Sequence, residues 1–148
     1  MTFSSDITKF EEKVKARQDL VLRKVCLDLF RRVVMMTPVD TGRARGAWLV
    51  GVNHIPMSAP IAIDSAPLGR IINDVKTAKF GDRVALTNSV QYIGNLEYGG
   101  FPDPPQKGKG KTAGGFSRQA PQGMVRISIE QYLPTLKAAV AAAKMEVR

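Results

Sequence analysis

The chain has 148 residues, of which 44% are hydrophobic and 24% charged, a balance that fits one globular domain and excludes disorder throughout. Lysine and arginine number 22 against 13 acids, and the net charge of +9 draws in nucleic acid, acidic protein surfaces or anionic membranes, or only keeps the chain soluble. A single cysteine, Cys26, excludes an internal disulfide framework, and no stretch reaches the roughly 20 apolar residues of a membrane span.

Residues 6–36 read as one amphipathic helix. Ile7, Phe10, Val14, Leu22, Val25, Leu29, Val33 and Met36 recur mostly at three- and four-residue steps, with Gln18 interrupting the face. Thr8 with Glu11 has capping-box spacing, a start at Ser5 serves equally, and Pro38 disfavours helix at Thr37. Such a helix is roughly 45 Å long. A compact domain of this size has a radius of gyration near 15 Å, so one end is expected to overhang and pack on a neighbouring subunit.

Gly46–Asn53 is a strand candidate with Trp48, Val50 and Val52 on one face, and Ile61–Asp64 suggests a short extended piece after Pro56 and Pro60. Leu68, Ile71, Ile72 and Val75 return to helical spacing within 66–78, Arg83–Thr87 is a second strand, and a short helical piece within 88–99 turns Tyr92, Ile93 and Leu96 inward. Residues 99–116 hold glycine, proline and lysine with almost no aliphatics, which predicts a long loop or arm. From Pro121 a helical segment over 121–147 carries Ile129, Leu133, Leu136, Val140 and Ala143 as its buried stripe, with Pro134 set to kink or divide it. The expected fold class is α+β: one domain over 1–148, long N- and C-terminal helices packed on a small mixed sheet, and a Gly/Pro/Lys-rich loop.

Catalytic motifs fail on their contexts. Asp40-Thr41-Gly42 matches the aspartic-protease triplet, but a long helix precedes it and Arg43 follows, so a turn with Asp40 capping nearby amides and Gly42 at positive φ is expected. Gly108 to Thr112 (GKGKT) resembles a phosphate loop, but Pro105 stands where the pattern needs glycine. Cys26 reads as a small buried hydrophobe and His54 has no evident metal partners. No catalytic, cofactor-binding or metal-binding residue is assigned, and no enzyme activity is expected. Glu97 follows an apolar turn, where it either pairs with an arginine in the fold or across an interface, or stands solvated.

The cations gather in two places. Arg31, Arg32, Arg43 and Arg45 surround the end of the long helix, and Lys107, Lys109, Lys111, Arg118 and Arg126 oppose only Asp103 between 101 and 126. Neither cluster interleaves aromatics as a base-stacking surface does, so any nucleic-acid contact is to phosphates. The first eight of these, leaving out Arg126, are the candidate DNA or subunit-interface contacts.

Three segments in order carry a resemblance: Thr37 to Arg45 (TPVDTGRAR), Thr87 to Gly99 (TNSVQYIGNLEYG) and Gln119 to Arg126 (QAPQGMVR). Together they resemble the neck and tail-component proteins of tailed bacteriophages, with patterns P-x-D-T-G-x-x-R, N-x-x-x-Y-x-x-x-L-E-x-G and A-P-x-G-M. The segment from Gly100 to Gly114 is an insertion that the resemblance leaves uncovered. The resemblance marks Pro38, Asp40, Thr41, Gly42, Tyr92, Glu97, Gly99, Pro121 and Gly123 as structural positions. It implies a non-catalytic virion component at the head–tail junction, a homo-oligomeric neck or tail-completion ring. Its expected partners are copies of itself, other neck, connector or tail-tube proteins and packaged DNA through phosphates, with no membrane. It would be found in virions, and in host cytoplasm during assembly. The alternative is a basic, non-specific DNA-binding protein without virion architecture.

Overall fold

The computed structural model of the chain describes residues 2–58, 62–105 and 110–146. The first helix, α1 (Phe3–Met36), begins earlier than the hydrophobic pattern implied, because Thr2 caps it: its Oγ1 accepts from Ser5 N at 3.3 Å. A four-residue helix α2 (Arg43–Gly46) follows, taking Gly46 out of the expected strand. The strand itself is β1 (Leu49–Val52), and after it come α3 (Pro67–Val75) and β2 (Val84–Thr87). The chain continues as α4 (Ile93–Tyr98), two-residue strands β3 (Thr112–Ala113) and β4 (Phe116–Ser117), and α5 (Val125–Glu146). Residues 62–64 form no strand, and Ile61 lies outside the described residues.

The fold is α+β, with its strands in two separate antiparallel ribbons where a mixed sheet was expected. β1 pairs with β2 in the register Leu49↔Thr87 to Val52↔Val84, and β3 pairs with β4. Two four-residue strands cannot cover a core alone. Phe30, Val33 and Val34 of α1, with Trp48, Val50, Ile71, Val75, Leu96 and Met124, form the buried cluster instead.

The long helices run antiparallel. Ser128 Oγ lies 3.3 Å from Met36 Sδ and Tyr132 Oη 3.3 Å from Asp28 Oδ2. By helical rise, Glu146 then comes level with roughly positions 14 to 18 of α1, so the first three turns run on past Glu146. Ile7 and Phe10 on those turns are 50% and 58% exposed. The overhang is therefore real, and its apolar face is uncovered.

The buried stripe of α5 is shifted by one position from the expected one. Ser128 and Tyr132 are buried, as is Met124 just before the helix, while Ile129, Leu133 and Val140 are exposed; of the expected stripe Leu136 is half-buried, and the side chain of Ala143 lies outside the described residues. Two polar side chains sit inside because α1 supplies their partners, Met36 Sδ and Asp28. Nor does Pro134 divide the helix. The carbonyl it strands belongs to exposed Glu130, where water can satisfy it.

The 99–116 stretch also carries more structure than its composition suggested. Phe101 packs against the core, its N–H donates to Gly115 O at 3.0 Å, and the ring of Phe116 lies against Gly99, whose φ is +80°.

Candidate functional site

The first segment closes the end of α1. Buried Thr37 donates its hydroxyl to Val33 O at 2.7 Å and accepts from Trp48 Nε1 at 2.8 Å. Arg45 turns back on the same end, donating to Thr37 O from Nε and Nη2 at 3.1 and 3.0 Å and to Met35 O at 3.0 Å. A guanidinium on terminal carbonyls satisfies orphan acceptors and offsets the negative helix end. Arg45, expected among the DNA or interface contacts, is spent on its own helix. Gly42, at φ +87°, allows the reversal between α1 and α2. The Asp-Thr-Gly triplet is indeed a turn, but Thr41 Oγ1, not Asp40, accepts the Arg43 amide, at 3.3 Å.

Glu97 is a buried carboxylate held by polar contacts inside the fold. It is 7% exposed and sits at the N-terminus of α5. Its Oε2 accepts from Met124 N and Val125 N, both at 2.8 Å, and its Oε1 from Arg126 N at 3.0 Å and Arg126 Nε at 3.1 Å. Arg126 Nη2 also reaches Glu97 O at 2.7 Å, and its guanidinium lies 4.7 Å from the centre of the Tyr98 ring. Burial pushes the carboxyl's pKa up, but the three amides and Arg126 outweigh it, so Glu97 titrates below the usual glutamate value. Of the readings open from sequence, Glu97 is the one paired within the fold. Gly123, at φ +82°, makes room for it: a Cβ there would lie 2.5 Å from the Glu97 backbone oxygen and 3.0 Å from its Oε2. Pro121 bridges to Gly123 ahead of α5, so the helix starts four residues later than expected.

These contacts join all three segments pairwise. Asn88 Nδ2 donates to Ala44 O at 2.8 Å, tying the second segment to the first, and Glu97 ties the second to the third. Gln119 closes the triangle, accepting from Val39 N at 2.8 Å and donating to Val39 O at 2.9 Å. Its amide pairs with the backbone as a neighbouring strand would. Sequence reading missed Thr37, Trp48, Asn88 and Gln119 as linking residues, although Thr37, Asn88 and Gln119 lie in the quoted segments.

The triangle encloses a cleft of about 450 Å³. Pro38 to Gly42 form one wall, Tyr92 and Leu96 another, and the β3–β4 hairpin with Phe101 the third. Tyr92 was expected to point inward and is instead partly exposed on this wall. Lys111 and Arg118 stand at the rim, and Lys111 Nζ pairs with Asp40 Oδ1 at 3.3 Å between two exposed side chains.

No family model, curated protein or solved structure matches this chain.

The remaining expected cations disperse. Arg31 and Arg43 are exposed, while Arg32 lies 5.6 Å from the centre of the Tyr132 ring. Arg31 and Arg32 border a shallower depression of about 320 Å³ with Asp28 and Thr135. Lys107 and Lys109 lie outside the described residues. The cleft is lined by the apolar Leu96 and Phe101 and by the charged Asp40, Lys111 and Arg118. Cys26 is half-buried against the core, and burial pushes its thiol up and disfavours the thiolate. His54 is exposed at the far end of β1, with Nδ1 3.1 Å from Val52 O. Among the described residues, no three His, Cys, Asp or Glu side chains are grouped to hold a metal, and no helix is long and apolar enough to cross a membrane.

Proposed function

We propose that this chain is a structural component of the head–tail junction of a tailed bacteriophage, a neck or tail-completion protein that works as a homo-oligomeric ring. The observation that carries the reading is the mutual locking of the three resembling segments: their polar side chains hold one another and a helix end. The overhanging face at Ile7 and Phe10 and the exposed row Ile129, Leu133 and Val140 on α5 supply apolar surface for neighbouring subunits. Closed rings form from such unlike surfaces when the rotation between subunits closes. In this role the chain acts by assembly, joining head connector to tail.

Removing the gene from its phage tests the reading. Filled heads and free tails should accumulate separately, and the chain supplied in trans should restore joined particles. Normal yield of joined particles without the chain would overturn it.

The exposed Arg31, Arg43, Lys111 and Arg118 favour a second reading, a basic DNA-binding protein contacting phosphates. That reading requires the free chain to bind random duplex DNA with an affinity that falls steeply with salt. It also requires heads and tails to join normally without the chain.

A further inference from the structure

We infer that the N-terminal turns of α1 pair antiparallel with the same turns of a second, two-fold related copy, whose α1 takes up the line of α5 past Glu146. The inference goes beyond the ring reading and does not depend on it. A two-fold contact closes at two copies, and a ring needs a further, unlike one.

The face that pairs is the one α1 already turns to α5. Met36 meets Ser128 there, Asp28 meets Tyr132, and Arg32 stands over the Tyr132 ring. At about 100° per residue, Ile7, Phe10 and Val14 share an arc of roughly 80° with Asp28, Arg32 and Met36, so one row runs the length of the helix. Helix α5 covers this row from Met36 down to roughly positions 14 to 18. Below that, Ile7 and Phe10 are at least half exposed. Higher up the row is met by an antiparallel helix, and lower down it fits a partner of the same form.

The occupant is a second copy because the bare stretch fits itself. It runs from Phe3 to about Val14, roughly 18 Å of helix. Setting Ile7 beside the second copy's Phe10, and Phe10 beside its Ile7, makes the two bare stretches coextensive and leaves neither uncovered. In that register the second copy's Thr2 comes level with about position 15, beside the turn where α5 reaches Glu146. The carbonyl end of α5 then faces the amide end of the second copy's α1, and the two dipoles align head to tail. The row Ile129, Leu133 and Val140 stays free in such a pair and is left for other contacts.

Charge fits the same register. Asp6 and Lys13 stand two turns apart on one flank of the row, and both are exposed. Antiparallel pairing brings each Asp6 within about one turn of the second copy's Lys13, which gives two equivalent ion pairs that set the orientation. On the other flank Glu11 is already paired with Lys15 at 2.8 Å, so that flank opposes no unbalanced charge to its copy. A helix end that mixes both signs suits a copy of itself run the other way.

The test is sedimentation velocity of the full chain, with Cys26 kept reduced, over about a hundredfold range of concentration, because so short a contact gives a weak pair. A dimer should form reversibly as the concentration rises. Circular dichroism first establishes that each variant is folded. Phe10→Asp should abolish the dimer, and Leu20→Asp, similarly exposed on α1 but off the row, should leave it unchanged. Asp6→Lys should weaken it severalfold, and Asp6→Lys with Lys13→Asp in one chain should restore it. A monomer across the range, a dimer that survives Phe10→Asp, or a double variant no tighter than Asp6→Lys alone would overturn the contact. Each of these results leaves the ring reading standing, since that reading is decided in assembled particles.

Discussion

Replacing Glu97 with glutamine perturbs the fold at its most connected point. The variant keeps one oxygen but turns the other into an N–H₂ group facing amides that also donate. Met124 N is fully buried, so water cannot replace the lost acceptor. Hydrogen bonds to a charged group contribute roughly 1.5–3 kcal/mol each, and several sharing one carboxylate act as a unit and do not add. An overall loss of about 2–4 kcal/mol follows, because some bonds survive in weakened form. At about 2–4 °C per kcal/mol for a domain of this size, the melting temperature should fall by roughly 4–16 °C.

The pH dependence identifies the carboxylate as the cause. Its folded pKa is depressed, so its contribution is complete above the unfolded glutamate value of about 4.3 and is lost as pH falls through the lower folded value. Urea unfolding of both proteins, followed by circular dichroism from pH 7 down to pH 3, should show a gap that is constant near neutrality and narrows in acid. Arg126→Leu should cost less than Glu97→Gln, since the Arg126 side chain is 57% exposed and solvent screens its ion pair. A Glu97→Gln gap below about 0.5 kcal/mol at pH 7, or one as large at pH 3, would refute the reasoning.

Three further substitutions test the rest of the lock. Thr37→Val leaves the buried Trp48 indole N–H without its acceptor and should lower stability by about 1–3 kcal/mol in a denaturant melt read by tryptophan fluorescence. Gly123→Ala meets a positive φ and, above all, the Glu97 backbone carbonyl, so calorimetry should show a loss of about 1 kcal/mol or more. Arg45→Leu should destabilise by about 1 kcal/mol or more through its helix-end carbonyls, whereas exposed Arg43→Leu should stay within about 0.5 kcal/mol by the same thermal melt.

The periodic elements were legible because their signals are local. The extent of α1, read as 6–36 and found at Phe3–Met36, and the β2 strand, read as 83–87 and found at Val84–Thr87, depend on residues within a few positions of one another. The buried Phe30 and Val34 nonetheless fell outside the expected α1 stripe. What sequence reading misplaced depends on contacts far along the chain. The start of α5 is set by Glu97, 27 residues before Met124, so Pro121 as a first-turn signal misplaced it. The buried face of α5 is decided by Met36 and Asp28, which make Ser128 and Tyr132 interior and leave Ile129 and Leu133 outside. Counting apolar residues selects the wrong face when a polar residue has a distant partner. The candidate site divides in the same way. Its three segments stood out in sequence, but which residue held which did not: Arg45 looked like one more member of a cationic cluster until the carbonyls of Met35 and Thr37 accounted for it.

The claim that this chain is a ring component of a phage neck is tested most directly by cryo-electron microscopy of particles assembled by the phage that encodes it. Density at the head–tail junction should resolve into a closed ring of copies, each showing the long antiparallel pair α1 and α5 with the cleft beside the end of α1. Particles whose junction is complete without this chain, or in which it is present only as isolated copies with Ile7 and Phe10 in solvent, would contradict the account.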